Sequence, residues 1–170
     1  MLLPNLPYYI FGDIAISETD SICRTIARVH KADLLGKTSK DQAFVEYIFS
    51  FVMKFNSKVR DLCYIETTEE QRKKIFDDNK ARLEAINTHL GTHKFFAGDY
   101  LTIADIGFYE TMQCAKLVHE ASYKAYPNFE KHEKAFEEEA WFKNYKASDR
   151  FIASPINGPS AKINNIWLLP

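Results

Sequence analysis

Phe95-Phe96-Ala97-Gly98-Asp99-Tyr100-Leu101-Thr102-Ile103-Ala104-Asp105-Ile106 is the stretch on which the reading of the fold turns. Thr102 is a residue type that caps a helix start, and Asp105 then sits at the third helical position, where its carboxylate can reach back to the cap. Leu101 and Ile106 bracket the turn as a hydrophobic staple, which fixes the angle at which the chain enters the helix. The pattern that follows predicts a helix running to about Glu120. A capping pair alone is common. The whole string, with Phe-Phe-Ala-Gly-Asp ahead of it, is far more specific.

Working outward, Ser39 to Tyr64 reads as one long helix, with Ser39 and Gln42 as its capping pair and Val45, Ile48, Val52, Val59 and Leu62 on one apolar face. A second long helix is predicted from about Thr68 to Leu90, with charged opening turns and Phe76, Leu83, Ile86 and Leu90 on its inner side. Pro127 starts a further helix and Trp141 to Lys146 another. On the other side, Ala32 to Thr38, with Gly36 inside it, reads as a linker. Ahead of the linker, Tyr8 to Phe11 and Ile14 to Ser17 flank the turn Gly12-Asp13 as a hairpin. A helix follows from about Thr19 to Lys31, with Ile22, Ile26 and Val29 at helical spacing. The predicted organisation is residues 1–31 as a partial domain, 32–150 as an all-α domain, and 151–170 as an irregular tail.

Bulk properties restrict function. The chain has 170 residues with 46% hydrophobic and 14% aromatic content, enough for a packed core. The net charge is -1, from 22 basic and 23 acidic residues, and no basic stripe argues for nucleic acid or an anionic membrane. Cys23, Cys63 and Cys114 lie far apart with no CxxC or Cys/His spacing, so no metal site is expected and reduced, buried thiols are. His30, His89, His93, His119 and His132 make no visible triad and are read as helix-end and polar-face residues. Met1 to Phe11 is apolar but broken by Pro4 and Pro7 and lacks the pattern of a secretory leader. An intracellular, by default cytoplasmic, protein is the expectation.

Asn5-Leu6-Pro7, then Glu18-Thr19-Asp20-Ser21, then Ile22-Cys23-Arg24-Thr25-Ile26-Ala27-Arg28 resemble the second half of a glutathione transferase N-terminal domain, nearest the mu-like class. The Phe95–Ile106 string resembles the start of the core helix in that family's C-terminal domain. The resemblance covers about Leu3 to Phe151 and starts partway through the first domain. It implies a mainly α protein: an all-α glutathione-transferase C-terminal domain, preceded by a truncated thioredoxin-like hairpin and helix.

The resemblance also implies roles. Leu6-Pro7 matches the family's cis peptide, whose preceding residue pairs through its backbone with the cysteinyl part of glutathione; a plain turn proline is the alternative. Asn5 falls near the tripeptide. Glu18 and Thr19 match the pair that holds the γ-glutamyl end at a helix start, or are an ordinary cap pair. Tyr64 matches a tyrosine whose hydroxyl faces the electrophile, or is an interfacial aromatic. There are departures. Lys54 stands where the family has an aspartate reaching across a dimer to the tripeptide's ammonium group, and Leu3 stands where an aromatic key would fill a pocket on the second subunit. The family's catalytic hydroxyl and its grip on the glycine carboxylate lie outside the matched stretch, so glutathione binding is expected to be weak or lost and no metal is implied.

Three functions remain open at this point: a catalytically degenerate structural or interaction subunit of a larger assembly, an active glutathione transferase, and a non-catalytic module for apolar ligands. The expected partners are another chain covering the strand edge from Pro7 to Phe11, and a second copy meeting it through the Arg24 helix and the Ser39 to Tyr64 helix.

Overall fold

The computed structural model describes residues 1–164. At its centre Ile103–Val118 (α5) packs along Ser39–Tyr64 (α2), and their facing side chains, including Val45, Phe49, Val52, Val59 and Cys63 from one and Ala104, Phe108, Cys114 and Ala115 from the other, are fully or almost fully buried. At about 1.5–3 kcal/mol per large apolar side chain, this pair dominates the favourable side of folding.

The start of α5 forms as its sequence predicts. Thr102 is extended (φ -132°, ψ 173°), and its N–H and hydroxyl donate to Asp105 Oδ2 at 2.8 and 2.7 Å. Phe96 N–H donates to Asp105 Oδ1 at 2.9 Å, so one carboxylate also clamps the preceding loop. The helix ends at Val118 rather than Glu120, and His119 turns the chain into the short helix Glu120–Lys124 (α6). Pro127–Glu137 (α7) and Ala140–Lys146 (α8) follow, with Pro127 in the first helical turn.

Two expectations about helix ends are corrected. The cap of α2 is Thr38, not Ser39: its hydroxyl accepts from Asp41 N–H at 3.1 Å, and Asp41 Oδ2 accepts from Thr38 N–H at 3.2 Å. Both candidates are hydroxyl residues followed three places later by a side-chain acceptor, so spacing alone could not choose. The stretch from Thr68 to Leu90 is two helices, Glu69–Asp77 (α3) and Lys80–Thr92 (α4). Buried Asn79 causes the break: its side-chain Nδ2 donates to Ile75 O at 2.8 Å, the carbonyl its own N–H would take in an unbroken helix, and that N–H turns to Phe76 O at 3.1 Å. A third correction concerns His132, which lies on a buried face rather than a polar one and contacts Asp105 Oδ1 at 3.0 Å.

Ahead of the bundle, Tyr8–Phe11 (β1) and Ile14–Ser17 (β2) form an antiparallel hairpin in the register Tyr8↔Ser17 to Phe11↔Ile14. Thr19–His30 (α1) follows, then a short 3-10 helix at Ala32–Leu35 inside the linker. Only Ala27 of α1 is fully buried; Ile26 and Val29 stay exposed, so the apolar stripe read from the sequence is not covered. Arg24 ties α1 to α2 through Glu46 (2.6 and 3.0 Å) and to Asp20 (2.9 Å), with its guanidinium over Phe49. Residues 152–164 carry no helix or strand, and the remainder of the expected tail, 165–170, lies outside the described residues.

Candidate functional site

The loop before β1 and the end of β2 meet at the start of α1. Buried Ser17 donates its hydroxyl to Leu3 O at 2.6 Å and pins the loop there. The Leu6-Pro7 peptide is cis. Asn5 Nδ2 donates to Glu18 Oε1 at 3.4 Å, and Asn5 Oδ1 accepts from Leu6 N–H at 2.9 Å. Asn5, Leu6, Pro7 and Glu18, separate in sequence, thus share one exposed corner. The Leu6 N–H is engaged by Asn5, so a ligand pairing with that backbone has to displace the amide side chain.

Glu18 is the residue before α1, and its backbone is left-handed (φ 70°, ψ 113°), a conformation that costs a non-glycine residue about 1–3 kcal/mol and concentrates at functional sites. No side chain caps the helix from this position. The first-turn N–H groups, Thr19's among them, therefore offer the positive end of a 12-residue helix to a carboxylate. The charges beside it oppose an anion: Glu18 and Asp20 are acidic, and the nearest cation, Arg24, is held by Asp20 and Glu46.

Thr19 also borders a largely apolar cavity of about 520 Å³ between α1, α2 and α5, with Cys23, Ile26, Met53, Asn56 and Arg60 around it. Burial, and then the Asp20 carboxylate, push the Cys23 thiol above its ordinary range. Tyr64 does not join this cavity. It lies one turn beyond Arg60, and its hydroxyl accepts from Gly158 N–H at 2.9 Å, held by the tail. Lys54 is also apart from the Thr19 corner, bordering a second groove of about 570 Å³ between α2 and α4, beside Phe44, Phe51 and Arg82, whereas Leu3 is held at the corner by its carbonyl and is 65% exposed.

Sequence reading missed a polar chain along α2. Arg60 Nε donates to Asn56 Oδ1 at 3.1 Å, Asn56 Nδ2 donates to Thr111 Oγ1 at 3.0 Å, and Arg60 Nη1 approaches Asn157 Oδ1 at 3.5 Å. Asn56 and Arg60 stand four residues apart, a helical spacing that could have flagged them; Asn157 carries no such signal. Among the described residues no group of three or more His, Cys, Asp and Glu could hold a metal ion, and no helix is long and apolar enough to cross a membrane.

A helical bundle with this α5 start, joined to a hairpin and helix with a cis-proline corner, is the build of a glutathione transferase C-terminal domain with part of its N-terminal one. The family model for the glutathione S-transferase C-terminal domain matches residues 53–149, more than half of the chain, and the chain belongs to the glutathione S-transferase family. Glutathione S-transferase Mu 3 of Homo sapiens is 29% identical over 162 residues, which span 95% of this chain and 71% of that protein. Glutathione S-transferase Mu 5 of Mus musculus matches to the same extent, 29% over 162 residues, with 95% and 71% covered. The crystal structure of the glutathione S-transferase Blo t 8 superposes with a TM-score of 0.80 at 24% identity, covering 95% of this chain and 77% of that one, a likeness of fold.

Proposed function

We propose that this chain is a glutathione-transferase-fold interaction subunit: it keeps a weak half-site for the tripeptide at Asn5, Leu6, Pro7, Glu18 and Thr19, and another polypeptide, or a stretch of chain ahead of this sequence, covers β1. The single observation that carries the reading is the free edge of β1. Among the described residues β1 pairs with β2 alone, and Tyr8, Ile10 and Phe11 stay exposed beside the unpaired backbone. An isolated two-stranded hairpin with such an edge is marginal and invites a further strand.

The electrostatics favour holding over activating. A free thiol titrates near 8.5 and needs a positive or hydrogen-bonding neighbour to ionise at neutral pH. The corner supplies acidic neighbours, Glu18 and Asp20, and an Arg24 already paired twice. The γ-glutamyl carboxylate still has the open first turn of α1 to bind, so the half-site holds without raising reactivity.

The alternative, an active transferase, is favoured by the match to named glutathione S-transferases along 95% of the chain. One experiment separates the two. Glutathione is titrated into the isotope-labelled chain while amide shifts are followed by NMR, and turnover of a chromogenic aryl halide is measured on the same sample. The proposal expects weak shifts confined to Leu6 and the first turn of α1, with turnover no faster than buffer. Conjugation well above the buffer rate overturns it in favour of the transferase.

A further inference from the structure

We propose that Cys63 and Cys114 form a dithiol that hydroperoxides oxidise to an intramolecular disulfide, joining α2 to α5 beneath the tail. The two sulfurs lie 3.5 Å apart in the core, and both residues are wholly buried. A closing movement of about 1.5 Å brings them to the disulfide bond length of about 2.05 Å. The movement is within the repacking of two long helices that already touch along this face. The surroundings are polar where a core is usually not. Asn157 Oδ1 lies 4.0 Å from the Cys114 sulfur, and the Arg60 guanidinium approaches the same amide oxygen from the other side. Arg60's hydrogen bonds there go to neutral asparagines, and its charge, which also acts on Glu110, favours an ionised sulfur.

The shared hydrogen bond, with help from Asn157 and Arg60, holds the Cys63 thiol below its ordinary range. The same bond, then burial, drives Cys114 above it. The pair therefore divides into a sulfur suited to attack and a protonated partner suited to follow, the arrangement redox-active dithiols use. Access comes through the tail. Lys162 N–H and Ile163 N–H donate to Cys63 O at 2.6 and 3.3 Å, and Asn157 Nδ2 donates to Ile163 O at 2.8 Å. This strap carries no helix or strand, and a segment held by a few hydrogen bonds opens at far lower cost than the core beneath it.

The chemistry balances. The Cys63 thiolate attacks the terminal oxygen of the hydroperoxide. The O–O bond breaks, the leaving oxygen departs as water or an alcohol after taking up a proton, and Cys63 becomes a sulfenic acid. The Cys114 sulfur then attacks the Cys63 sulfur. The S–O bond breaks, the S–S bond forms, and the hydroxide released takes the Cys114 proton and leaves as water. The two thiols together give up two electrons and two protons, and the peroxide receives them.

The test treats the native full chain with hydrogen peroxide, quenches in acid, alkylates after denaturation, and maps the peptides by mass spectrometry. The expected product is a peptide joined through Cys63 and Cys114, lighter by two hydrogens, removed by dithiothreitol, with Cys23 still alkylated. Cys114→Ser is expected to lose the product and leave Cys63 over-oxidised. If that variant does not fold, the map of the unaltered chain decides alone. Cys63 and Cys114 both alkylated after treatment, or a bridge that involves Cys23 in place of either, overturns the proposal.

Discussion

Asp105 has no exposed surface, yet its carboxylate meets Phe96 N–H, the N–H and hydroxyl of Thr102, and the His132 ring. It fixes the start of α5, the loop before it and the side of α7 at once. Removing it strands buried donors on three segments, the change that costs a fold most. Asp105→Ala is expected to lower stability by about 3–5 kcal/mol, read as a fall in the urea midpoint with the slope unchanged. Part of this was legible in sequence, because a cap and its N3 partner are three residues apart and answer to local spacing. His132 was not. Its position on α7 reads as polar until α7 is laid against Phe95, Phe96 and Phe108, whose rings join Phe136 of the same helix around it. The candidate site divides the same way: Leu6-Pro7 and Glu18-Thr19 are readable as short motifs and the Asn5 contact with Leu6 is local, but the Asn5 contact with Glu18 and the Tyr64 contact with Gly158 depend on folding distant segments together.

At the scale of elements, apolar period fixed which faces of α2 to α4 turn inward, though not that of α1, and it did not fix where helices stop. Phe76, Leu83, Ile86 and Leu90 remain on the core side of α3 and α4 although the helix breaks between them, so the pattern carries no trace of the break. Asn79 ends α3 by hydrogen bonding, which composition does not reveal. The linker is the opposite case, because Gly36 marks it in the sequence and its backbone requires glycine. Gly36 has φ 111°, and a Cβ there would meet Gln42 N at 2.5 Å and the Asp41 carbonyl carbon at 2.8 Å. Both contacts are backbone at the first turn of α2 and cannot rotate away. Gly36→Ala is expected to cost about 2 kcal/mol or more and lower Tm by roughly 4–8 °C. Gly98 has a similar φ of 103° but open space around the added carbon, so Gly98→Ala carries the left-handed penalty alone, roughly 1–2 kcal/mol. Thermal melts of the two variants side by side check the ordering; equal losses show that the α2 contact contributes nothing.

For the whole molecule, the unresolved business is on the surface. One apolar region is the β1 edge with Tyr8, Ile10 and Phe11; another is the groove between α2 and α4, bordered by Phe44 and Phe51. The resemblance assigns a second copy to α2, but the sequence has weakened the means. Leu3 offers less area than an aromatic key, Lys54 and Arg82 make the groove's rim positive, and Arg24 is engaged within its own chain. The β1 edge has no such deterrent: its outward positions carry no charge. Association is therefore expected to run through the edge. Ile10→Lys places a charge beside the unpaired backbone of a residue that is already 64% exposed, so folding loses less than about 0.5 kcal/mol. Strand pairing with another chain then requires that ammonium group to lose water, which costs far more. Sedimentation velocity across a concentration series is expected to show reversible association of the unaltered chain and a monomer for the variant, at nearly equal Tm. Equal association by both places the contact elsewhere, with the α2/α4 groove the next surface to alter, and removes the observation on which the interaction role rests.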